Sequence, residues 1–93
     1  MTAKFDLGLV LATPGAVGAL ELSGVTAKQF LDRHSAGDWG DVCEEDKELN
    51  DAALLDGTRL VSSYDLPNLK REKVLIITEA DRSVTTLLLG SEY

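Results

Sequence analysis

The chain has 93 residues, of which 44% are hydrophobic and 27% charged, and its formal net charge at pH 7 is -7. These proportions are typical of a globular domain, and the length allows one modest core in a single domain but excludes two domains. The single cysteine excludes an internal disulfide, and no apolar run reaches the roughly 20 residues of a membrane span.

The first predicted element is a strand over Phe5 to Ala12, where leucines fall on one face and smaller residues on the other. The apolar stretch from Leu7 to Leu20 is not typical of a signal peptide. Asp6 interrupts the lead-in, basic residues are scarce before it, and Thr13-Pro14-Gly15 falls inside it. With one unpaired cysteine, the sequence predicts a cytoplasmic protein that keeps its thiol reduced.

Two helices are predicted next from the residues at their ends. Thr13 is suited to cap the first, a proline occupies its first helical position, and Gly24 ends it. Thr26 and Gln29 have the spacing of a capping box and begin the second helix, which ends at Gly37.

A connector rich in Asp and Gly follows, and Asp41 with Glu44 repeats the capping-box spacing. A third helix is therefore predicted to run to about Leu55, and Asp56-Gly57 ends it.

The last third of the chain changes character and is rich in Val, Ile, Leu, Thr and Tyr. Three antiparallel strands are predicted over Thr58 to Tyr64, Lys73 to Thr78 and Ser83 to Leu89, with turns at 65–68 and 79–82.

These elements predict one α+β domain over residues 1–93: an N-terminal strand, two to three helices and a three-stranded antiparallel meander, with the helices packed on one sheet face. The last two strands carry apolar residues on both faces. Since the helices cover only one face, a homodimer is the simplest way to cover the other.

Charge is distributed unevenly along the chain. Residues 38–56 contain eight acidic side chains against one basic one, while the other 74 residues contain eight of each. One sufficient explanation of this acidic excess is structural. Acidic residues at the start of a helix stabilise the helix, and net charge promotes solubility. The other explanation is an acidic surface that binds a basic partner, formed by Asp38, Asp41, Glu44, Glu45, Glu48 and Asp51.

The same charge count disfavours direct binding to nucleic acid, because phosphate contacts need clustered basic residues and only Lys70, Arg71 and Lys73 cluster. An acidic surface would instead occupy the nucleic-acid site of another protein by imitating phosphates. We therefore expect a basic protein partner, no membrane, and a binding role rather than catalysis.

A second hypothesis is a small ligand-binding or hydrolytic site that uses His34, Trp39, Glu79, Asp81 and Arg82. Within it, Trp39 is either a lid over the core whose indole N–H binds a carboxylate, or a platform for a ligand. Arg82 is expected to pair with Glu79 or with a helix carboxylate. Near this cluster, a polar sheet face is predicted as a binding surface, formed by Ser62, Tyr64, Thr78, Thr85 and Thr86.

Metal and cofactor motifs are not found in the sequence. Ligand-type side chains lie close together at His34, Asp38, Asp41, Glu44 and Glu45, but their spacing is not typical of a zinc or calcium site. Cys43 has acidic neighbours that oppose a thiolate, so we expect it to be partly buried and unreactive. No phosphate-binding or dinucleotide-binding glycine motif occurs, and no cofactor is predicted.

Several of these segments together resemble a family of small bacterial proteins. They are Gly37-Asp38-Trp39-Gly40-Asp41, Asp46, Asn50-Asp51, Ser62 with Tyr64, Ile76 to Ser83, Thr85-Thr86 and Tyr93. Members are often carried on plasmids or other mobile elements and are labelled plasmid-related protein or type I restriction enzyme subunit M.

The resemblance implies a bacterial origin but no established reaction. For the acidic surface with a basic partner, we expect a mobile-element defence or anti-defence setting. A genuine modification subunit is several times longer and carries methyl-donor and base-flipping motifs, which this sequence lacks. Leu89 to Tyr93 also departs from the Pro-Glu-Glu-Tyr ending that the family pattern implies.

Overall fold

The fold follows the predicted order of elements. The structure is a computed structural model that describes residues 3–67, 69 and 72–93. Its elements are β1 (Leu9–Ala12), α1 (Pro14–Ser23), α2 (Ala27–Ser35), α3 (Glu44–Asp56), β2 (Leu60–Asp65), β3 (Lys73–Thr78) and β4 (Val84–Leu89). A single 3-10 turn at Gly90–Glu92 follows β4. The described residues therefore form the predicted α+β fold.

The ends of α1 and α2 depend on the predicted local residues. The Thr13 hydroxyl accepts the Ala16 N–H at 3.1 Å, and Gly24 ends α1 with φ of 71°. Thr26 and Gln29 make both bonds of a capping box at the start of α2. These predictions are confirmed. Each cap is a contact between residues close in sequence, so it can be predicted without knowledge of the rest of the fold.

The start of α3 was predicted wrongly. Cys43, not Asp41, occupies the cap position, and none of the described side chains makes a capping hydrogen bond there. The Asp41 N–H instead donates to the Ser63 carbonyl at 2.6 Å, which holds Asp41 against β2. A tertiary contact has thus removed the capping box, and the carboxylates of the first turn interact with the positive helix end.

The four strands form one sheet in the order β1-β4-β3-β2. The antiparallel meander of β2, β3 and β4 is confirmed, whereas β1 pairs parallel with β4, so the sheet is mixed. The prediction that the first strand starts at Phe5 is wrong. Gly8 has φ of 66°, and a Cβ there would lie 2.3 Å from the Ser83 carbonyl oxygen. The chain turns at this glycine, and extended pairing begins only at Leu9.

The main core lies between the sheet and helices α1 and α2. Its buried members are Ala16, Ala19, Leu20, Phe30, Tyr64, Leu66, Val74, Ile76 and Leu87. A second, smaller core lies between α3 and β2 and contains Trp39, Ala53 and Leu60. Each large side chain buried in this way stabilises the fold by about 1.5 to 3 kcal/mol. The second core is what fixes Trp39 beside α3.

The two edges of the sheet differ. At β2, the Asn50 side chain donates to the Val61 carbonyl at 2.7 Å and accepts the Val61 N–H at 3.1 Å. Ser63 bonds the segment at Trp39 and Asp41 on the same edge. All four residues of β1, in contrast, are exposed. None of the helices formed by the described residues is both long enough and apolar enough to span a bilayer.

Candidate functional site

Four acidic side chains converge around one depression, which we call the acidic groove. It has a volume of about 310 Å³ and is lined by Gly37, Asp38, Trp39, Gly40, Glu44, Lys47, Glu48 and Asp51. The α3 members are spaced three and four residues apart, so they share one face of the helix. The connector before α3 provides the other wall.

Trp39 forms the floor of the acidic groove. Only 4% of its surface is exposed, and its indole N–H donates to the Asp51 carboxylate at 2.9 Å. Its ring stacks on Phe5 at 6.2 Å and meets the edge of His34 at 5.7 Å. The predicted lid with a carboxylate partner is confirmed, and the ring leaves almost no face on which a ligand could stack.

Gly40 allows the connector to lie directly on β2. Its φ is 73°, and a Cβ would lie 2.1 Å from the Ser63 carbonyl oxygen. Only glycine tolerates both the left-handed conformation and this close approach. The resulting bridge between Gly40 and Ser63 sets the position of Trp39.

Asp38 is held at the rim by α2 and β2. Its carboxylate accepts from the Arg33 Nε–H at 2.7 Å, and this bond lowers the pKa of Asp38. The Arg33 guanidinium lies 4.6 Å from the centre of the Tyr64 ring. Burial raises the pKa of Tyr64 to about 12, so its hydroxyl stays protonated and donates to the Asp38 carbonyl at 2.6 Å.

The acidic groove remains negative after its internal ion pairs are counted. Its lining has four carboxylates against Lys47, a net charge of -3. Arg33 offsets Asp38, and Lys47 Nζ lies 3.5 Å from Glu44. Within the part of the chain that the structure describes, neither Glu48 nor Asp51 forms an ion pair. These two carboxylates are the ones left for an external cation.

Two members of the predicted acidic surface lie elsewhere. Asp41 binds Lys73, which also binds Asp65 at 2.9 Å. The hydrogen bond to Lys73 lowers the pKa of Asp41 and raises that of Lys73. Glu45 is exposed but does not line the groove. The predicted basic cluster cannot be placed, because Lys70 and Arg71 lie outside the described residues.

His34, the centre of the alternative hypothesis, is completely buried. Its Nδ1 lies 2.5 Å from the Ser62 hydroxyl and its Nε2 lies 2.9 Å from the Thr78 hydroxyl. Thr78 bonds Thr85 at 2.8 Å, and Thr85 donates to the Leu7 carbonyl at 2.6 Å. We call this chain of five partners the histidine network.

The Leu7 carbonyl fixes the direction of every bond in the histidine network. The Thr85 hydroxyl has one proton and donates it to that carbonyl, so Thr85 can only accept from Thr78. Thr78 has then used its own proton and must accept from His34 Nε2–H. His34 Nδ1 then accepts from Ser62. Burial, with a smaller effect of the Arg82 charge, lowers the pKa of His34 to about 4, so the ring is neutral at pH 7.

Among the residues that the structure describes, Arg82 pairs with no carboxylate, so that prediction was wrong. Its guanidinium donates to the Thr58 carbonyl at 2.7 Å and to the Ala53 carbonyl at 2.9 Å, near the C-terminal end of α3. Unpaired carbonyls at a helix end attract cations, which explains the choice of partner. Arg82 also lies 5.7 Å from the Phe5 ring centre and adopts φ of 62°. It therefore links the β3–β4 turn to α3.

The remaining members of the alternative cluster face solvent. Glu79 and Asp81 are exposed, and Asp81 accepts the Ser83 N–H and hydroxyl. The structure thus brings His34 and Trp39 together, with Arg82 next to them through Phe5, but leaves the two carboxylates outside. The ring of His34 is not exposed on the surface of the described residues.

The predicted polar sheet face was also wrong. Ser62, Tyr64, Thr78 and Thr85 are buried, and three of these four belong to the histidine network. Thr86, which is partly exposed, points to the opposite face of the sheet. Polar residues on these strands therefore provide hydrogen-bond partners for the buried His34 and its network instead of facing a ligand.

Cys43 is exposed, so the prediction of partial burial was wrong. As the cap residue of α3 it precedes the first turn, where its side chain has no core to enter. Over residues 3–67, 69 and 72–93, no group of three or more His, Cys, Asp or Glu side chains is arranged to hold a metal ion.

Three residues of the acidic groove, Gly37, Gly40 and Lys47, were not predicted as part of the site. Lys47 lies three residues after Glu44, a spacing that predicts an ion pair on a helix and a lower net charge. Gly40 was assigned only to a connector, although a glycine between Trp and Asp could have indicated a close backbone contact.

Comparison with known proteins adds no relative: no family model, no curated protein and no solved structure matches this chain. The resemblance to the plasmid-related family stays a prediction.

Proposed function

We propose that this chain is a non-enzymatic binding protein whose acidic groove docks a cationic segment of a basic protein partner. The observation that carries the proposal is the convergence of Asp38, Glu44, Glu48 and Asp51 around one depression. Complementary charge across an interface speeds association and selects partners.

The size of the acidic groove suits basic side chains. A volume of about 310 Å³ is at the lower end for small-molecule sites, and it can accommodate one or two extended Arg or Lys side chains. Carboxylates accept the two parallel N–H donors of a guanidinium especially well. Glu48 and Asp51 would bind the incoming cation, since Arg33 and Lys47 already offset the other two acids.

The partner we favour is a nucleic-acid-binding protein of the bacterial cytoplasm. Such a protein carries a basic surface suited to phosphates, and the carboxylates of the acidic groove would take the place of those phosphates. This partner class agrees with the mobile-element setting that the sequence resemblance implies.

The test uses a hexa-arginine peptide and isothermal titration at low salt, where exposed charges are least screened. Glu48→Gln with Asp51→Asn should weaken binding by about 2- to 30-fold, since exposed ion pairs contribute about 0.2 to 1 kcal/mol each. Asn at position 51 keeps an oxygen that can accept the Trp39 indole N–H.

The matched control is Glu21→Gln with Glu79→Gln, which removes two exposed carboxylates outside the acidic groove. It should change the affinity by less than about twofold. Equal weakening by the two double variants would mean that the peptide responds to net charge alone. That result, or no binding at low salt, would contradict the proposal.

A further inference from the structure

The open edge of β1 is unusual among the elements of this fold. Leu9, Val10 and Leu11 are 62%, 41% and 48% exposed, and β1 contains no charged residue and no proline. Charges, prolines and covering segments are the usual means by which edge strands avoid pairing with other chains. The opposite edge, β2, is covered by Asn50 and by the segment around Gly40.

The hydrogen bonds to β4 define which main-chain groups of β1 point outward. The Leu9 N–H donates to the Ser83 carbonyl and the Thr13 N–H to the Leu87 carbonyl. In a parallel pair, alternate residues face the partner strand, so the main-chain groups of Val10 and Ala12 face away from β4. Two donors and two acceptors are thus presented at this edge.

We propose that two copies of this chain associate through β1, paired antiparallel across a two-fold axis at Leu11. In this register Val10 and Ala12 of one copy exchange four main-chain hydrogen bonds with Ala12 and Val10 of the other. The pairing cannot be centred on Val10 instead, because Gly8 would then have to be extended and its φ is 66°. A two-fold axis brings the same strand of both copies together. The interface then needs only β1 to be complementary to a second β1.

Charge favours a second copy over a cationic partner at this edge. Outside residues 38–56 the chain has eight acidic and eight basic residues, so β1 lies in the neutral part. The acidic α3 packs at β2, the far edge of the sheet. In the paired form the two β2 strands would be about 34 Å apart, from seven strand spacings of about 4.8 Å. That separation is about four Debye lengths at physiological salt, so the two acidic grooves hardly repel each other.

The contact is small, which determines the strength of the association. Covering the exposed parts of the three apolar β1 side chains in both copies removes roughly 500 Å² from water. Stable interfaces bury about 1,200 to 2,000 Å². The pairing is therefore weak, and we expect pairs only at high protein concentration.

Cross-linking tests the register in a Cys43→Ser background, which removes the native exposed thiol. Leu11 of one copy would lie opposite Leu11 of the other copy. The two Cα atoms would be about 5 Å apart, which is within reach of a disulfide. Leu11→Cys should therefore form a disulfide-linked pair under mild oxidation. Leu9→Cys is the control, since the two Leu9 Cα atoms would be about 14 Å apart and should cross-link at least tenfold more slowly.

Sedimentation equilibrium up to about 1 mM tests the association without cross-linking. Val10→Pro removes an outward N–H but none of the β4 bonds, and it should shift the equilibrium to single chains. Leu55→Lys, at a side chain that is 92% exposed on α3, should leave the equilibrium unchanged.

A mass of one chain throughout the range, pairs that persist in Val10→Pro, or equal cross-linking of the two cysteine variants would each overturn the proposal. If Val10→Pro fails to fold, the comparison of Leu11→Cys with Leu9→Cys tests the pairing by itself.

Discussion

The pH dependence of stability tests the histidine network directly. The His34 pKa is about 4 in the folded chain, compared with about 6.5 for an exposed histidine. Below pH 6.5 the unfolded chain therefore binds a proton that the folded chain does not. The contribution of neutral His34 to the free energy of unfolding is fully present above pH 6.5. It decreases as the pH falls toward 4, and it does not change further below pH 4.

The expected loss follows from the two pKa values. Between pH 7 and pH 5 the free energy of unfolding should decrease by about 2 kcal/mol, and the full effect of the shift is about 3 kcal/mol. Urea titrations at pH 7, 6 and 5 measure this decrease at pH values where most carboxylates stay ionised.

His34→Gln provides the control. Its side-chain amide can still donate to Thr78 but does not titrate, so the pH dependence between 7 and 5 should disappear. His34 is the only histidine of the chain, so NMR can also measure its pKa without an assignment problem. A measured pKa near 6.5, or the same pH dependence in both proteins, would refute a buried neutral ring.

Three further predictions test the contacts that hold the acidic groove. Arg82→Ala removes a charged donor from two main-chain carbonyls and should lower the unfolding free energy by about 1.5 to 3 kcal/mol; an unchanged urea midpoint would mean that the guanidinium is solvated. Gly40→Ala places a Cβ 2.1 Å from a β2 carbonyl oxygen and should destabilise by at least about 2 kcal/mol, whereas Gly18→Ala, with no atom within 4 Å, should stabilise by about 0.5 to 1 kcal/mol; similar urea midpoints for the two would contradict this. Trp39→Phe should cost about 1 to 2 kcal/mol in thermal unfolding, and Asp51→Ala should add little in the Trp39→Phe background, because the shared hydrogen bond is already lost.

Elements with local signals could be predicted from the sequence, and elements that depend on distant contacts could not. The caps at Thr13 and Thr26 and the three strands of the meander are encoded in adjacent residues. The parallel pairing of β1 with β4 joins Leu9 to Val84, more than 70 residues later, and no local pattern indicates it. Asp41 shows the same limit, since its capping-box spacing is correct but its N–H bonds β2 instead.

The acidic groove was partly predictable for the same reason. The excess of carboxylates in residues 38–56 is visible in the sequence, and helical spacing brings Glu44, Glu48 and Asp51 to one face. The hydroxyls of Ser62 and Thr78, in contrast, led to a wrong prediction, namely a polar sheet face open to a ligand. Polar residues on strands are usually exposed, but these two surround His34, which is 28 and 44 residues away from them. A buried histidine that needs partners cannot be recognised before the fold is known.

The acidic groove and the open β1 edge lie at opposite ends of the sheet, so the two proposals are independent. In a pair formed through β1, both acidic grooves would face outward and two basic segments could be bound at once. Failure of the β1 pairing would leave the acidic groove of the single chain unchanged.

The most direct test of the account is an NMR titration of the 15N-labelled protein with the hexa-arginine peptide. Trp39 is the only tryptophan, and its indole N–H, bonded to Asp51, gives one signal at the floor of the acidic groove. We expect this signal and the amides of residues 44–51 to shift first and to saturate together. Shifts spread evenly over the chain, or centred on another surface, would contradict the account.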